Sequence, residues 1–99
     1  MAQFDVHTNT FGPGLLLDCQ SDLLDHFRTR FVIPLLLPAD LPSPLSRLNP
    51  VFEIGGVSYM MVTHYAGAVE HHELGEKVGS LAAERLKIIG ALDVLISGV

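Results

Sequence analysis

The sequence predicts a mainly β domain that ends in one C-terminal α-helix, with a small barrel or curled antiparallel sheet carrying the helix. Three observations predict this fold. Several segments before residue 63 either alternate polar and apolar residues or are continuously apolar. The pair Gly55-Gly56 separates two β-forming segments. From Ser80 to Ile96, apolar residues then recur at helical spacing. The 99 residues are predicted to form a single domain, 1–99.

The first hairpin is predicted near the N-terminus. Residues 3–8 alternate in polarity, which is typical of a strand with one buried face. Two residues would face the core, Phe4 and Val6, while three would share the opposite face, Gln3, Asp5 and His7. The segment from Asn9 to Gly14 contains turn residues, and the apolar segment from Leu15 to Cys19 that follows is the predicted hairpin partner.

The middle of the chain is less regular. Residues 21–25 fit either a helical turn capped by Ser21 or two strand ends joined by a bulge. The segment from Arg30 to Leu36 is predicted to be a strand buried on both faces, with Pro34 marking an edge or a bulge. The proline-rich segment from Pro38 to Pro50 is predicted to be a loop, with one helical turn at 43–48.

The Gly55-Gly56 turn predicts a hairpin in which Ile54 pairs with Val57 and Phe52 with Tyr59. One or two short strands are expected within residues 66–74. In the helix, Gly90 costs about 1 kcal/mol relative to Ala, and close approach of a neighbouring backbone would explain it. The expected core face of the helix includes Leu81, Ile88, Leu92, Leu95 and Val99, with Ile89 and Ile96 beside them.

Composition and charge exclude several classes of function. Only 17% of residues are charged, so part of the surface is expected to be covered by another chain. The net charge of −5 and the scattered Lys and Arg argue against direct binding to DNA or to an anionic membrane. The single Cys19 excludes an internal disulfide, and no signal peptide or bilayer-spanning segment is expected. These features predict a cytoplasmic, oligomeric protein.

No residue pattern marks an active site, so no catalytic residue, metal ligand or cofactor is predicted. The cluster 70–73, Glu-His-His-Glu, lacks the spacing of a metal motif. The remaining histidines are isolated, Cys19 lacks a nucleophile motif, and Asp22 with Asp25 is more simply explained by capping or solvation. A binding protein is the favoured class, and a small hydrolase or metal protein that uses the histidines is the alternative.

The sequence resembles the CcdB family, the toxins of type II toxin–antitoxin modules that poison DNA gyrase. The resemblance covers nearly the whole chain and lies in the order and spacing of many short matches. These are Gln3-Phe4, Val6, Thr8, Asp18, residues 20–25, Arg30, residues 32–35, Pro50-Val51, Ile54-Gly55, Met61, Leu74-Gly75-Glu76, Val78, Leu81, Ile88, Ala91-Leu92 and Gly98.

The resemblance implies an SH3-like antiparallel barrel with a small second sheet and a C-terminal helix, assembled as a homodimer. It also implies that the dimer binds the DNA gyrase A subunit, a topoisomerase, and traps the cleaved DNA complex. A CcdA-like antitoxin would neutralise the toxin and would repress the operon together with it, making the DNA contacts itself. Modules of this family serve plasmid maintenance.

Carried over by position, the gyrase-binding residues would be Gln3, Phe4, His7, Ser21, Leu23, Asp93, Ser97, Gly98 and Val99. Four of these depart from the usual family residue. His7 replaces an aromatic phenol, Asp93 an amide and Val99 an isoleucine. Ser97 replaces a tryptophan that stacks on a gyrase arginine, a contact worth roughly 0.5–2 kcal/mol. The resemblance therefore leaves two functions open: a gyrase poison, or a protein of the same fold that has lost gyrase poisoning but keeps antitoxin or other protein binding.

Overall fold

The computed structural model describes residues 2–41 and 43–98. They form one curled antiparallel sheet, a half-barrel, with a single α-helix at its C-terminal end. The strands are β1 (Asp5–Asn9), β2 (Leu15–Asp18), β3 (Thr29–Leu36), β4 (Val51–Ile54), β5 (Val57–Met61), β6 (Gly67–Glu70) and β7 (Leu74–Ser80), and the helix is α1 (Arg85–Ser97). The strand order is β4-β5-β3-β2-β1-β7, with β6 also paired to β3. The mainly β fold with a C-terminal helix is confirmed.

Both predicted hairpins are present. Strand β2 pairs with β1, and the Gly55-Gly56 turn joins β4 to β5 in the predicted register, Ile54 with Val57 and Phe52 with Tyr59. Both turn glycines have positive φ, at 59° and 80°, which a two-residue hairpin of this kind requires. Ser21 caps a 3-10 turn, because its Oγ accepts a hydrogen bond from Leu23 N. Of the two alternatives for residues 21–25, the capped helical turn is therefore correct.

Strand β3 lies in the middle of the sheet, so the prediction of an edge or a bulge at Pro34 is wrong. The first half of β3, residues 29–32, pairs with β6, whereas Leu35 and Leu36 pair with β5. Pro34 lies between the two partner strands. Cys19 N donates to Phe31 O, and this register turns the nitrogen of Pro34 away from β2. The missing N–H is therefore tolerated. The described strands form a single sheet in which β5 and β6 both pair with β3, so the small second sheet expected from the resemblance is not separate from it.

Strand β7 was not predicted from the sequence, and it pairs with β1 on the side opposite β2. Asp5 and His7, which were predicted to share the face opposite Phe4 and Val6, both lie on β1. Both side chains are buried, at 4% exposure, and the His7 ring lies against Gly75 of β7, with Nδ1 3.0 Å from Gly75 O. Lys77 of β7 supplies a charge partner for Asp5, with 3.3 Å between Nζ and Oδ1.

The hydrophobic core lies between the concave side of the sheet and α1. Its buried members include Phe4, Val6, Leu17, Ile33, Leu35, Phe52, Met61, Leu81, Ile88 and Ala91. The helix begins at Arg85, later than predicted, after a 3-10 turn at Ala82–Glu84. Its buried residues are Ile88 and Ala91, whereas Leu95 and Ile96 are exposed, which corrects their assignment to the core face.

Gly90 does not make room for a neighbouring backbone. A Cβ built on it would meet nothing within 4 Å among the described residues, so the explanation offered from the sequence is wrong. Within the same part of the chain, no helix is both long enough and apolar enough to cross a membrane.

Candidate functional site

Gln3 connects three parts of the chain at one end of the sheet. Its backbone N–H donates to Oδ1 of Asp22 at 2.8 Å, and its side-chain Nε2 donates to Cys19 O at 3.1 Å. Its Oε1 accepts a hydrogen bond from Nη1 of Arg85 at 3.1 Å. The N-terminal segment is therefore held against the 3-10 turn after β2 and against the first turn of α1.

Phe4, the second predicted site residue, is buried and has a φ of 70°, a region that bulky residues rarely occupy. Its backbone is fixed on both sides, since Phe4 N donates to Asp18 O and Phe4 O accepts from Leu81 N. The guanidinium of Arg85 lies over the ring, 5.8 Å from its centroid. Phe4 therefore shapes the surface from beneath, and backbone strain of this kind is concentrated at functional sites.

His7 is also buried, so its side chain lies below the surface. Its Nδ1 is 3.0 Å from Gly75 O, and its Nε2 has no hydrogen-bond partner among the described residues. Ser21 and Leu23 lie next to Gln3 on the 3-10 turn. The side chain of Leu23 is 87% exposed, and Leu86 in the first turn of α1 is equally exposed.

The C-terminal end of α1 carries the other predicted site residues. Ser97 is exposed, and its hydroxyl donates to Asp93 O at 2.6 Å, so the side chain folds back along the helix. Gly98 ends the helix with a φ of 76°, and its N–H donates to Val94 O. Ile96 is 82% exposed beside them. Val99 lies outside the described residues.

The predicted site residues therefore form two groups. Gln3, Phe4, Ser21 and Leu23 lie together at the start of α1, where Gln3 contacts Arg85. Asp93, Ser97 and Gly98 lie at the other end of the helix, about 18 Å away along its axis. His7 belongs to neither group, because its ring is buried against Gly75 of β7.

Two residues of the first group were missed by sequence reasoning. Arg85 connects to Gln3 across the fold, and such a contact between distant segments leaves no periodic signal in the sequence. Asp22 was considered only as a capping or solvated acid, but it accepts the Gln3 N–H. Arg85 is one of three charged residues in α1, with Lys87 and Asp93, so its charge alone did not mark it.

Several residues considered for chemistry lie around one hollow, which Asp25 and Glu70 also line. His71, His72 and Glu73 form a 3-10 turn, and with His26 and Arg28 the two histidines line an open hollow of about 340 Å³. Among residues 2–41 and 43–98, no three His, Cys, Asp or Glu side chains are grouped as metal ligands. Burial, and then the charge of Asp18, raise the pKa of the Cys19 thiol to about 12, so thiolate is scarce at neutral pH.

Comparisons with known proteins agree with this architecture. The model of the family described as CcdB protein matches residues 3–98. Among solved structures, the fold is similar to that of an endoribonuclease in complex with its cognate antitoxin from Mycobacterial species. The TM-score is 0.79, the identity is 14%, and the alignment covers 97% of this chain and 94% of that chain. At this identity the structural likeness shows the fold, whereas the sequence match spans both groups of site residues. The chain therefore belongs to the CcdB family.

Proposed function

We propose that this protein is the cytoplasmic toxin of a type II toxin–antitoxin module, and that it acts on the DNA gyrase A subunit. The observation that carries the proposal is the family match over residues 3–98, which includes every described position carried over from gyrase poisons. The similar fold of a toxin bound to its antitoxin supports the module, and with it a CcdA-like antitoxin as partner. The toxin and antitoxin would repress their operon together.

The proposed mechanism is binding without covalent chemistry. Leu23 and Ile96 present exposed apolar side chains at the two ends of α1, and Gly98 turns the backbone away from the helix axis. Exposed aliphatic side chains beside a chain end suit insertion between subunits of a target. Bound in this way to the opened gyrase A dimer, the toxin would hold the cleaved DNA complex and prevent religation.

A homodimer is part of the proposal. Only 17% of the residues are charged, and several large apolar side chains are exposed to solvent. A second copy of the chain would cover part of this apolar surface. The exposed side chains include Phe27, Phe31, Tyr65, Leu95 and Ile96. A two-fold axis near the C-terminal ends of the helices would bring both copies of Gly98 into one wedge. Sedimentation at tens of micromolar tests the dimer, and a monomer at that concentration contradicts it.

Two assays test gyrase poisoning. Overexpression in a gyrase-sensitive host is expected to arrest growth, and purified protein is expected to inhibit supercoiling and accumulate cleaved DNA with purified gyrase. The absence of both effects at high protein concentration overturns the gyrase proposal. Cleavage of RNA by the purified protein, or stoichiometric zinc in it, would overturn the proposal of a purely binding toxin.

One observation favours a second candidate function. The Ser97 hydroxyl is hydrogen-bonded to Asp93 O, so this position offers no aromatic surface to an arginine of gyrase. We propose as the alternative a CcdB-fold protein that binds an antitoxin or another protein but no longer poisons gyrase. Formation of a complex with an antitoxin, together with negative gyrase assays, distinguishes this alternative from the first proposal.

A further inference from the structure

A groove runs between α1 and the segment that leads into β4. One hollow of about 390 Å³ is lined on the loop side by Ser46, Arg47, Pro50 and Val51, and on the helix side by Lys87, Gly90 and Ala91. A second hollow of about 330 Å³ shares Ser46, Pro50 and Val51 with the first and extends to Met60. The two hollows therefore lie side by side, and we call them together the β4 groove.

Gly90 keeps the helix side of the β4 groove open. Glycine in the interior of a helix costs about 1 kcal/mol relative to alanine. The fold does not require this glycine, because an added Cβ would meet nothing within 4 Å among the described residues. Any side chain at this position would instead project into the hollow between Lys87 and Ala91. Gly90 therefore lowers the stability of the helix without improving its packing, and this indicates a role in binding.

The charge of the groove is opposite to that of the rest of the protein. The chain has a net charge of −5 and only six Lys and Arg residues, yet two of them, Arg47 and Lys87, line the same hollow. No carboxylate lines it among the described residues. Lys87 Nζ lies 3.5 Å from Glu84 Oε2, an exposed pair of the kind that contributes little energy. The groove therefore favours an acidic ligand.

The edge of the sheet adds hydrogen-bonding capacity. Strand β4 is the last strand of the sheet on this side among those described, and it pairs with β5 alone. Met61 N donates to Pro50 O, and in an antiparallel ladder the next residue, Val51, directs its N–H and C=O away from β5. An extended peptide can pair with such a free edge and place alternate side chains in neighbouring pockets.

We propose that the β4 groove binds an extended segment of a partner protein, in which carboxylates alternate with aliphatic residues. The peptide backbone pairs with the edge of β4 at Val51, and the aliphatic side chains occupy the hollows around Pro50 and Met60. The carboxylates lie against Arg47 and Lys87. This inference does not rest on gyrase binding, which the proposed function assigns to other residues.

Titration of the ¹⁵N-labelled protein by NMR tests the proposal. The probe is a capped peptide of about ten residues that alternates Val and Glu, and the comparison peptide alternates Val and Lys. We expect the Val-Glu peptide to shift amide signals within residues 46–53 and 87–91, and to bind at least about fivefold more tightly than the Val-Lys peptide. The proposal is overturned if neither peptide shifts these signals or if both peptides bind equally.

Matched variants separate binding from folding. Gly90→Gln fills the groove and, because Gln forms helix better than Gly, is expected to unfold at higher urea than wild type while binding the Val-Glu peptide at least about fivefold more weakly. Arg47→Ala is expected to weaken binding similarly. Ala83→Gln and Arg28→Ala, at exposed positions outside the groove, should leave binding unchanged. Unaltered binding by Gly90→Gln contradicts the proposal, and negative gyrase assays do not affect it.

Discussion

Arg30 donates two hydrogen bonds, from Nε and Nη2, to a single carboxylate oxygen of Asp18, Oδ2, at 3.0 and 2.7 Å. Both side chains are buried, with 1% and 0% exposure. The other carboxylate oxygen, Oδ1, accepts a hydrogen bond from Gln20 N at 3.1 Å. The pair joins neighbouring strands β2 and β3, so each charge depends on the other for compensation inside the protein.

Replacing one member of this pair is expected to cost more stability than replacing both. Asp18→Ala should lower the free energy of unfolding by about 3–5 kcal/mol, because Arg30 is left buried without a counter-charge. The double variant Asp18→Leu with Arg30→Met should recover much of that loss, since no uncompensated charge remains. Urea unfolding measures both, with the exposed Asp40→Asn as control. A loss below about 1 kcal/mol for Asp18→Ala contradicts the assigned role.

Gly75 is expected to be intolerant of any side chain. A Cβ on Gly75 would overlap Thr8 Oγ1 and lie 2.7 Å from Thr8 O, and a backbone atom cannot move aside cheaply. Gly75→Ala should therefore lower the free energy of unfolding by more than about 2 kcal/mol. Gly12→Ala is the matched control, because a Cβ there meets nothing within 4 Å, and it should change stability by less than about 0.5 kcal/mol. Similar urea midpoints for the two variants would refute this prediction.

Asp5 is expected to make stability depend on acid pH. Burial raises the pKa of its carboxyl, but the hydrogen bond from Ala2 N–H, the ammonium of Lys77 and the nearby His7 together lower that pKa below its ordinary value. A group with a lowered folded-state pKa stabilises the fold above its unfolded pKa of about 4, and this contribution disappears as the pH falls through the folded value.

The measurement compares wild type with Asp5→Asn by urea unfolding across pH. The stability difference should be largest at pH 5–7, where the carboxylate is charged in both states, and should shrink progressively below about pH 4. Asp40→Asn, at an exposed position, serves as control and should follow the wild-type profile. If the difference in free energy of unfolding between wild type and Asp5→Asn stays constant down to pH 2, Asp5 acts through its shape and not through its charge.

Ser97→Trp is expected to strengthen any effect on gyrase. Ser97 is exposed in the last turn of α1, so an indole fits there without disturbing the core, and only the hydrogen bond to Asp93 O is lost. An aromatic anchor at a protein interface contributes about 2 kcal/mol or more, which corresponds to at least tenfold in affinity. Calorimetry with the gyrase A subunit and the yield of cleaved DNA measure the gain. Ser58→Trp, exposed on β5, is the control, and equal behaviour of the two variants counts against the mapped site.

The elements predicted from sequence are those whose signal is local. The Gly55-Gly56 hairpin has its register fixed by two adjacent residues, and the alternation before Asn9 indicates β1. Strand β7 was missed because Gly75, Gly79 and charged residues interrupt its pattern, and its partner β1 lies at the other end of the chain. Pro34 was misplaced because the exchange of partner strands beside β3 is a tertiary feature.

The candidate site was predicted only in part, again because local patterns can be read from the sequence and contacts between distant segments cannot. The resemblance pointed to Gln3 and Leu23, which the structure places together. Phe4 is buried, as the alternation predicts. The burial of His7 was not predicted, because the alternation places His7 on the face opposite Phe4 and Val6. Arg85 and the β4 groove depend on contacts between distant segments, which one sequence does not encode in any local pattern.

The pairing of β1 with β7 places a constraint on synthesis. Asp5 pairs with Ser80 and Asn9 with Leu74, so the first strand leaves the ribosome long before its partner exists. Contacts between such distant segments form slowly, because a long loop must close first. Until β7 and α1 emerge, Gln3 lacks Arg85 and Phe4 lacks Leu81. Nascent chains and truncated products are therefore expected to lack the surface that the folded protein presents around Gln3 and Phe4.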